Sequence, residues 1–170
     1  MDNTIIISDS GPVIHLDEVE ANFAWNIFSK VYVPECERDE VTVVDRYGSE
    51  TVHGNIFSIC ILTKEHRGLS KNLIEKYKMT MNDSLVLSTA ILLKADMILT
   101  DDLDLREISK RVGIIPVGTI GILLRAFRKG FCGMKQLFSI LDRLYNESSL
   151  YITYDLIVLV KHKAREFSKE

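Results

Sequence analysis

Asn82-Asp83-Ser84-Leu85-Val86-Leu87-Ser88-Thr89-Ala90-Ile91-Leu92-Leu93-Lys94, then Ala95-Asp96-Met97-Ile98-Leu99-Thr100, then Asp101-Asp102-Leu103-Asp104, is the stretch whose reading decides the fold. The first segment is mostly apolar and opens on Asn82-Asp83, residue types that favour a helix N-terminus, so it predicts a buried helix. The second is short and bounded by polar residues, as an inner strand of a parallel sheet would be. The third sets three carboxylates just past that strand. In open α/β sheets, sites form beyond the carboxyl ends of the strands, so an acid heading the helix and a cluster ending the strand are placed to share one. Each acid also has a local use. Asp83 at a helix N-terminus contributes about 0.3–1 kcal/mol, and Asp101, Asp102 and Asp104 precede a helix predicted over Leu105 to Arg111.

The start of the chain repeats this arrangement. Thr4-Ile5-Ile6-Ile7-Ser8 is β-branched and apolar, a buried first strand. It ends at Asp9-Ser10-Gly11-Pro12, and Pro12 suits the first turn of the helix that Val13-Ile14-His15-Leu16 continues. An acid after a buried strand has little structural use, which makes Asp9 the leading site residue.

Between these two stretches, the spacing predicts a helix over Asn22 to Phe28 and a strand at Val31-Tyr32-Val33, stopped by Pro34. An acidic helix follows over Glu35 to Val44, then a turn-rich segment over Asp45 to Gly54. A strand at Ile56 to Leu62 and a helix over Ser70 to Met79 complete this part. Downstream, Ile114-Ile115-Pro116-Val117 reads as an edge strand because Pro116 cannot donate to a ladder. A helix from Gly118-Thr119-Ile120-Gly121 to Lys129 follows. Met134 to Tyr145 and Asp155 to Phe167 are amphipathic helices, the last capped by Thr153 or Asp155. Alternating strands and helices predict a parallel sheet covered on both faces.

Composition narrows the function classes. The 170 residues suffice for one domain, and 46% hydrophobic with 26% charged residues is ordinary for a globular protein. A net charge of −3 advertises no global basic surface for nucleic acid. An enzyme whose acidic site takes up a cation before it meets phosphate remains open. Cys36, Cys60 and Cys132 lie far apart with no metal-binding spacing, which favours free thiols in a reducing compartment. The N-terminus has no signal-like segment and Leu156 to Val160 is far too short to cross a bilayer, so the expected home is the cytoplasm. The lack of a GxxxxGK[ST] loop disfavours an NTPase.

Four motifs occur in order: Ile6-Ile7-Ser8-Asp9-Ser10-Gly11-Pro12; Val31-Tyr32-Val33-Pro34-Glu35 through Glu40-Val41; Asp83 with its apolar helix; and Leu99-Thr100-Asp101-Asp102-Leu103-Asp104-Leu105. Together they resemble the PIN domain, and Val117-Gly118-Thr119-Ile120-Gly121-Ile122-Leu123-Leu124 is similar to a microbial branch of it. The resemblance implies a three-layer α/β/α fold with a central parallel sheet. It implies a PIN-like domain over 1–130, with 131–170 as a helical extension packed on it. It also implies a metal-dependent ribonuclease with Mg²⁺ or Mn²⁺ in an acidic pocket, acting on RNA, often as a homodimer and often with an antitoxin-like protein partner.

Carried over residue by residue, Asp9, Glu40, Asp83 and Asp102 are the expected catalytic acids. Asp9, Asp83, Asp102 and Asp104 are the expected metal ligands. Glu37, one turn from Glu40, competes for the same role and is expected outside the pocket. Ser10 and Thr100 are expected to orient carboxylates or water. Asp101 is expected as a solvated neighbour, and His15 as a packed residue. His53, His66 and His162 are expected at the surface, with Lys64-Glu65-His66-Arg67 and Lys161-His162-Lys163 as solvated charged stretches.

The chemistry is coherent with such a set. Hard divalent cations prefer carboxylate oxygens, activate water and neutralise phosphate. Two other readings remain: a catalytically silent PIN-like module that binds nucleic acid or protein, and a hydrolase of small phosphoesters. For the latter, the Asp-x-Asp of aspartyl-phosphate enzymes is missing after the first strand.

Overall fold

The computed structural model describes residues 4–41 and 56–167. Five short parallel strands form one sheet in the order β3-β2-β1-β4-β5. They are β1 (Ile6–Ser8), β2 (Val31–Pro34), β3 (Phe57–Cys60), β4 (Met97–Leu99) and β5 (Ile115–Val117). Ile7 pairs with Tyr32 on one side and with Ile98 on the other, which makes β1 central.

Strand periodicity explains the layers, because successive side chains point to opposite faces. Ile6, Val31, Val33, Met97, Leu99 and Val117 join one apolar cluster. Ile7 and Ile98 join the other. The first face is covered by α1 (Ser10–Glu18), a 3₁₀ turn (Asn22–Ile27), α6 (Thr119–Arg128), α7 (Met134–Asn146) and α8 (Tyr154–Phe167). The second is covered by α3 (Lys64–Tyr77), α4 (Met81–Leu92) and α5 (Leu103–Arg111). This is the expected α/β/α arrangement. Leu137, Leu141, Leu144, Ile157, Val160 and Ala164 are buried in the same cluster as the sheet, so both C-terminal helices belong to its core.

Several elements differ from their predicted bounds. Asn22–Ile27 is a 3₁₀ turn, as is Glu35–Glu37, and only residues 38–41 (α2) are α-helical before the described residues break off. The rest of the predicted acidic helix, the stretch 45–54 and His53 lie outside the described residues. Helix α3 starts at Lys64 rather than Ser70. Thr63 caps it, and His66 Nδ1 accepts from the Thr63 N–H at 3.2 Å. His66 is therefore buried and not a surface residue, and Lys64 to Arg67 form the first turn of that helix. Helix α4 is capped by Thr80, whose hydroxyl accepts from the Asp83 N–H at 3.2 Å, so Asn82 and Asp83 lie inside it. Thr153 caps α8 through the Leu156 N–H.

Strand order places the site. The chain runs outward from β1 to β3, then crosses back to β4 and runs outward to β5. The order reverses between β1 and β4, and crevices form there at the strands' carboxyl ends.

Candidate active site

Asp9 directly follows β1, where its N–H still donates to the Leu99 carbonyl at 2.9 Å. Its carboxylate is fixed from two sides: Oδ1 accepts from the Ser10 N–H at 2.8 Å, and Oδ2 from the Thr100 hydroxyl at 2.9 Å. These bonds favour the charged form. Burial opposes them and is the largest influence, followed by the charge of Glu37, with Asp83 adding to it. The balance raises the Asp9 carboxyl from its ordinary 3.8 to about 7. Asp9 is thus a carboxyl that burial first, and then two acidic neighbours, hold half-neutral near physiological pH.

Of the two helix acids, Glu37 is the one whose charge acts on Asp9. It is 2% exposed and acts on Asp9, whereas Glu40 is exposed and accepts from the Ser10 hydroxyl at 2.6 Å. Glu37, expected outside the pocket, is buried close enough to act on Asp9. The 3₁₀ turn at Glu35–Glu37 explains it: three residues per turn instead of 3.6 rotates the following side chains relative to a uniform α-helix. Beside Glu37, the Cys36 thiol is pushed up to about 12, mainly by burial and then by Glu37, so it stays protonated.

Asp83 sits in the first turn of α4, where its carboxylate accepts from the Thr80 hydroxyl. Asp102 caps α5: its Oδ1 accepts from the Leu105 N–H at 2.7 Å, and the rest of the residue is exposed. Asp104 is exposed and lines a groove with Lys76, Tyr77, Lys78 and Arg111. The structure therefore brings Asp9, Glu37 and Asp83 into one electrostatic neighbourhood, with Asp102 at its rim as a cap. Among the described residues, no three His, Cys, Asp or Glu side chains are grouped closely enough to hold a metal ion by themselves.

Asp101 is not a solvated neighbour. Its side chain is 13% exposed and accepts from Thr119 N–H at 2.8 Å, Thr119 Oγ1 at 2.5 Å and His15 Nδ1 at 2.8 Å. Gly118 caps α6 and has no side chain to satisfy the first N–H groups of the helix, and Asp101 takes one of them, that of Thr119. Gly118 must stay small, since a Cβ there would meet Asp101 Oδ1 at 2.6 Å and Arg106 Nη1 at 2.7 Å.

The family model DUF3368, described as a PIN domain, matches residues 5–166. The chain belongs to the PIN-domain family. The match runs through both C-terminal helices of this PIN domain. No curated protein matches it.

PIN domains have a nuclease-like fold and typically use divalent metals. The donors here suit such an ion: they are oxygen only, and burial together with the charges of Glu37 and Asp83 raises Asp9. Mg²⁺-type ions are commonly held by one or two carboxylates, with water and substrate phosphate completing the shell, so a preassembled cage of three is not required.

Proposed function

We propose that this PIN domain is a Mg²⁺- or Mn²⁺-dependent endoribonuclease. The observation that carries the reading is Asp9, placed at the reversal of strand order and raised to about 7 by burial, Glu37 and Asp83. Such a cluster is unfavourable by itself and is relieved by a cation. Asp9, with Glu37 and Asp83, would hold the ion, and Asp102 borders the same edge. The bound ion supplies an activated water and neutralises charge on the phosphate.

The chain's own residues do the rest. Thr100 and Ser10 hold Asp9 in place, and Thr80 holds Asp83. No protein nucleophile is needed, in keeping with a Cys36 thiol kept protonated. The test is cleavage of a quenched fluorescent RNA oligonucleotide. Cleavage with Mn²⁺, none with EDTA and none by Asp9→Asn is the expected result. RNA that is bound but left intact by wild type with Mn²⁺ would instead favour the silent binding module.

A further inference from the structure

His15 stands in the second turn of α1, and Gly11 lies between its ring and the Asp9 carboxylate. Its Nδ1 lies 2.8 Å from Asp101 Oδ2, and both side chains are 13% exposed. With the Asp101 carboxylate as acceptor, Nδ1 is the donor, and in that tautomer of the ring Nε2 presents its lone pair. Among the described residues Nε2 has no hydrogen-bond partner, and the His15 side chain keeps part of its surface exposed.

Asp101 is itself held by two Thr119 donors, which fixes the direction of the ring. Gly11 then matters for what it lacks. A Cβ there would lie 3.6 Å from His15 Cε1, 3.8 Å from Asp9 Oδ2 and 4.0 Å from Asp101 Oδ2. The missing side chain leaves a gap walled by the imidazole edge and by the site's central carboxylate.

We propose that His15 is a catalytic base of this site, with Asp101 as its positioning residue. The proposal rests on the ribonuclease reading above and deepens it. In the reaction, a water oxygen bonds to phosphorus and its proton passes to His15 Nε2. The phosphorus–oxygen bond to the leaving ribose breaks, its electron pair stays on the ribose oxygen, and that oxygen takes a proton from solvent. The imidazolium is stabilised by Asp101 until it returns the proton to solvent, the arrangement by which a carboxylate orients and supports a catalytic histidine elsewhere.

The charges around the ring favour this. Asp101 faces it from the end of β4 and Asp9 from the end of β1. Arg106 stands behind Asp101, across Gly118. On α1 itself, Asp17 is bonded by Asn22 and Glu18 by Ser149.

A purely structural tie between α1 and the β4–α6 junction would need only a donor toward Asp101. His15→Asn supplies that donor without a base, and His15→Ala opens space for free imidazole. Both are compared with wild type in Mn²⁺-dependent RNA cleavage, with thermal melting as the folding control. The expected result is unchanged melting and KM for His15→Asn with kcat lower by on the order of 100-fold, and kcat of His15→Ala restored by added imidazole. Wild-type cleavage matched by His15→Asn would overturn the proposal and leave the ribonuclease reading standing. Loss in both variants without imidazole rescue would also overturn it, making His15 a tie. Wild type that does not cleave at all would remove the ribonuclease reading first, and this proposal with it.

Discussion

The Thr100 hydroxyl donates to Asp9 Oδ2 at 2.9 Å while accepting from the Asp102 N–H at 3.2 Å, so one buried oxygen joins the ends of β1 and β4 to the start of α5. A residue that is 0% exposed is thereby dedicated to aiming one carboxylate. The two strands that flank the reversal of order are locked together at the point where Asp9 emerges.

The first prediction concerns Asp9 and pH. Its carboxyl titrates near 7 in the folded state against an ordinary 3.8. Between those values the folded protein holds a proton that the unfolded chain has released. Stability without metal therefore falls as pH rises through this window and levels off above it. At 1.36 kcal/mol per pH unit the ceiling is on the order of 4 kcal/mol. Asp9→Asn should match wild type below pH 4 and exceed it by up to a few kcal/mol at pH 8, while losing Mn²⁺-induced stabilisation. Urea melts at both pH values, with and without Mn²⁺, check this. A variant that unfolds at pH 8 would mark Asp9 as structural.

Glu37 and Glu40 separate next. Glu37→Gln removes the strongest charge acting on Asp9, so it should lower the Asp9 pKa, raise metal-free stability near neutral pH and weaken Mn²⁺ binding. Glu40→Gln keeps an acceptor for the Ser10 hydroxyl on an exposed side chain and should leave Mn²⁺ affinity close to wild type. Calorimetric titration of Mn²⁺ into each variant decides between them. A larger loss in Glu40→Gln would return the helix acid to Glu40.

Much of this was legible before any coordinates. The two faces of the sheet follow from alternation in Ile6-Ile7 and Met97-Ile98-Leu99, and Asp9 follows from an acid placed after a buried strand. Pro116 also sits on the edge strand, as its missing N–H requires. What was hidden depends on local pitch or on distance in sequence. Phase counted in α-helical steps from Pro34 misplaces Glu37, because the first turn is 3₁₀. The cap role of His66 was obscured by a polar first turn that reads as a charged loop. The anchoring of Asp101 by Thr119 and His15 joins residues 18 and 86 positions away, beyond any local pattern.

Gly11→Ala tests the gap itself. The added methyl would sit at 3.6 to 4.0 Å from its neighbours, ordinary contact distances, on a helix where Ala is favoured over Gly by roughly 0.5–1 kcal/mol. Melting temperature should hold or rise. RNA cleavage should fall sharply, because the methyl occupies the space between Asp9 and His15 where a water must stand. Unchanged cleavage in a stable Gly11→Ala protein would show that the reaction takes place elsewhere.

The last prediction is association. The apolar stripe of α7 needs no partner, since Leu137, Leu141 and Leu144 are fully buried, and on α8 Val160 is buried as well. Leu156 and Leu159 are not: they are 39% and 51% exposed, near Tyr151 and Tyr154 at 93% and 60%. Leu156 also lines a cleft of about 520 Å³ with Leu103, Ile120 and Leu150, beside the edge strand. A second copy docked on α8 would cover these groups, and two-fold pairing uses the same patch twice. We propose such a dimer, burying more than about 1,000 Å² in total. Light scattering at micromolar concentration should give twice the chain mass for wild type. Leu159→Glu should give the monomer with an unchanged melting profile, because the residue contributes little to the monomer's core. A monomer mass for wild type would mean that the Leu156 and Leu159 face of α8 meets only solvent.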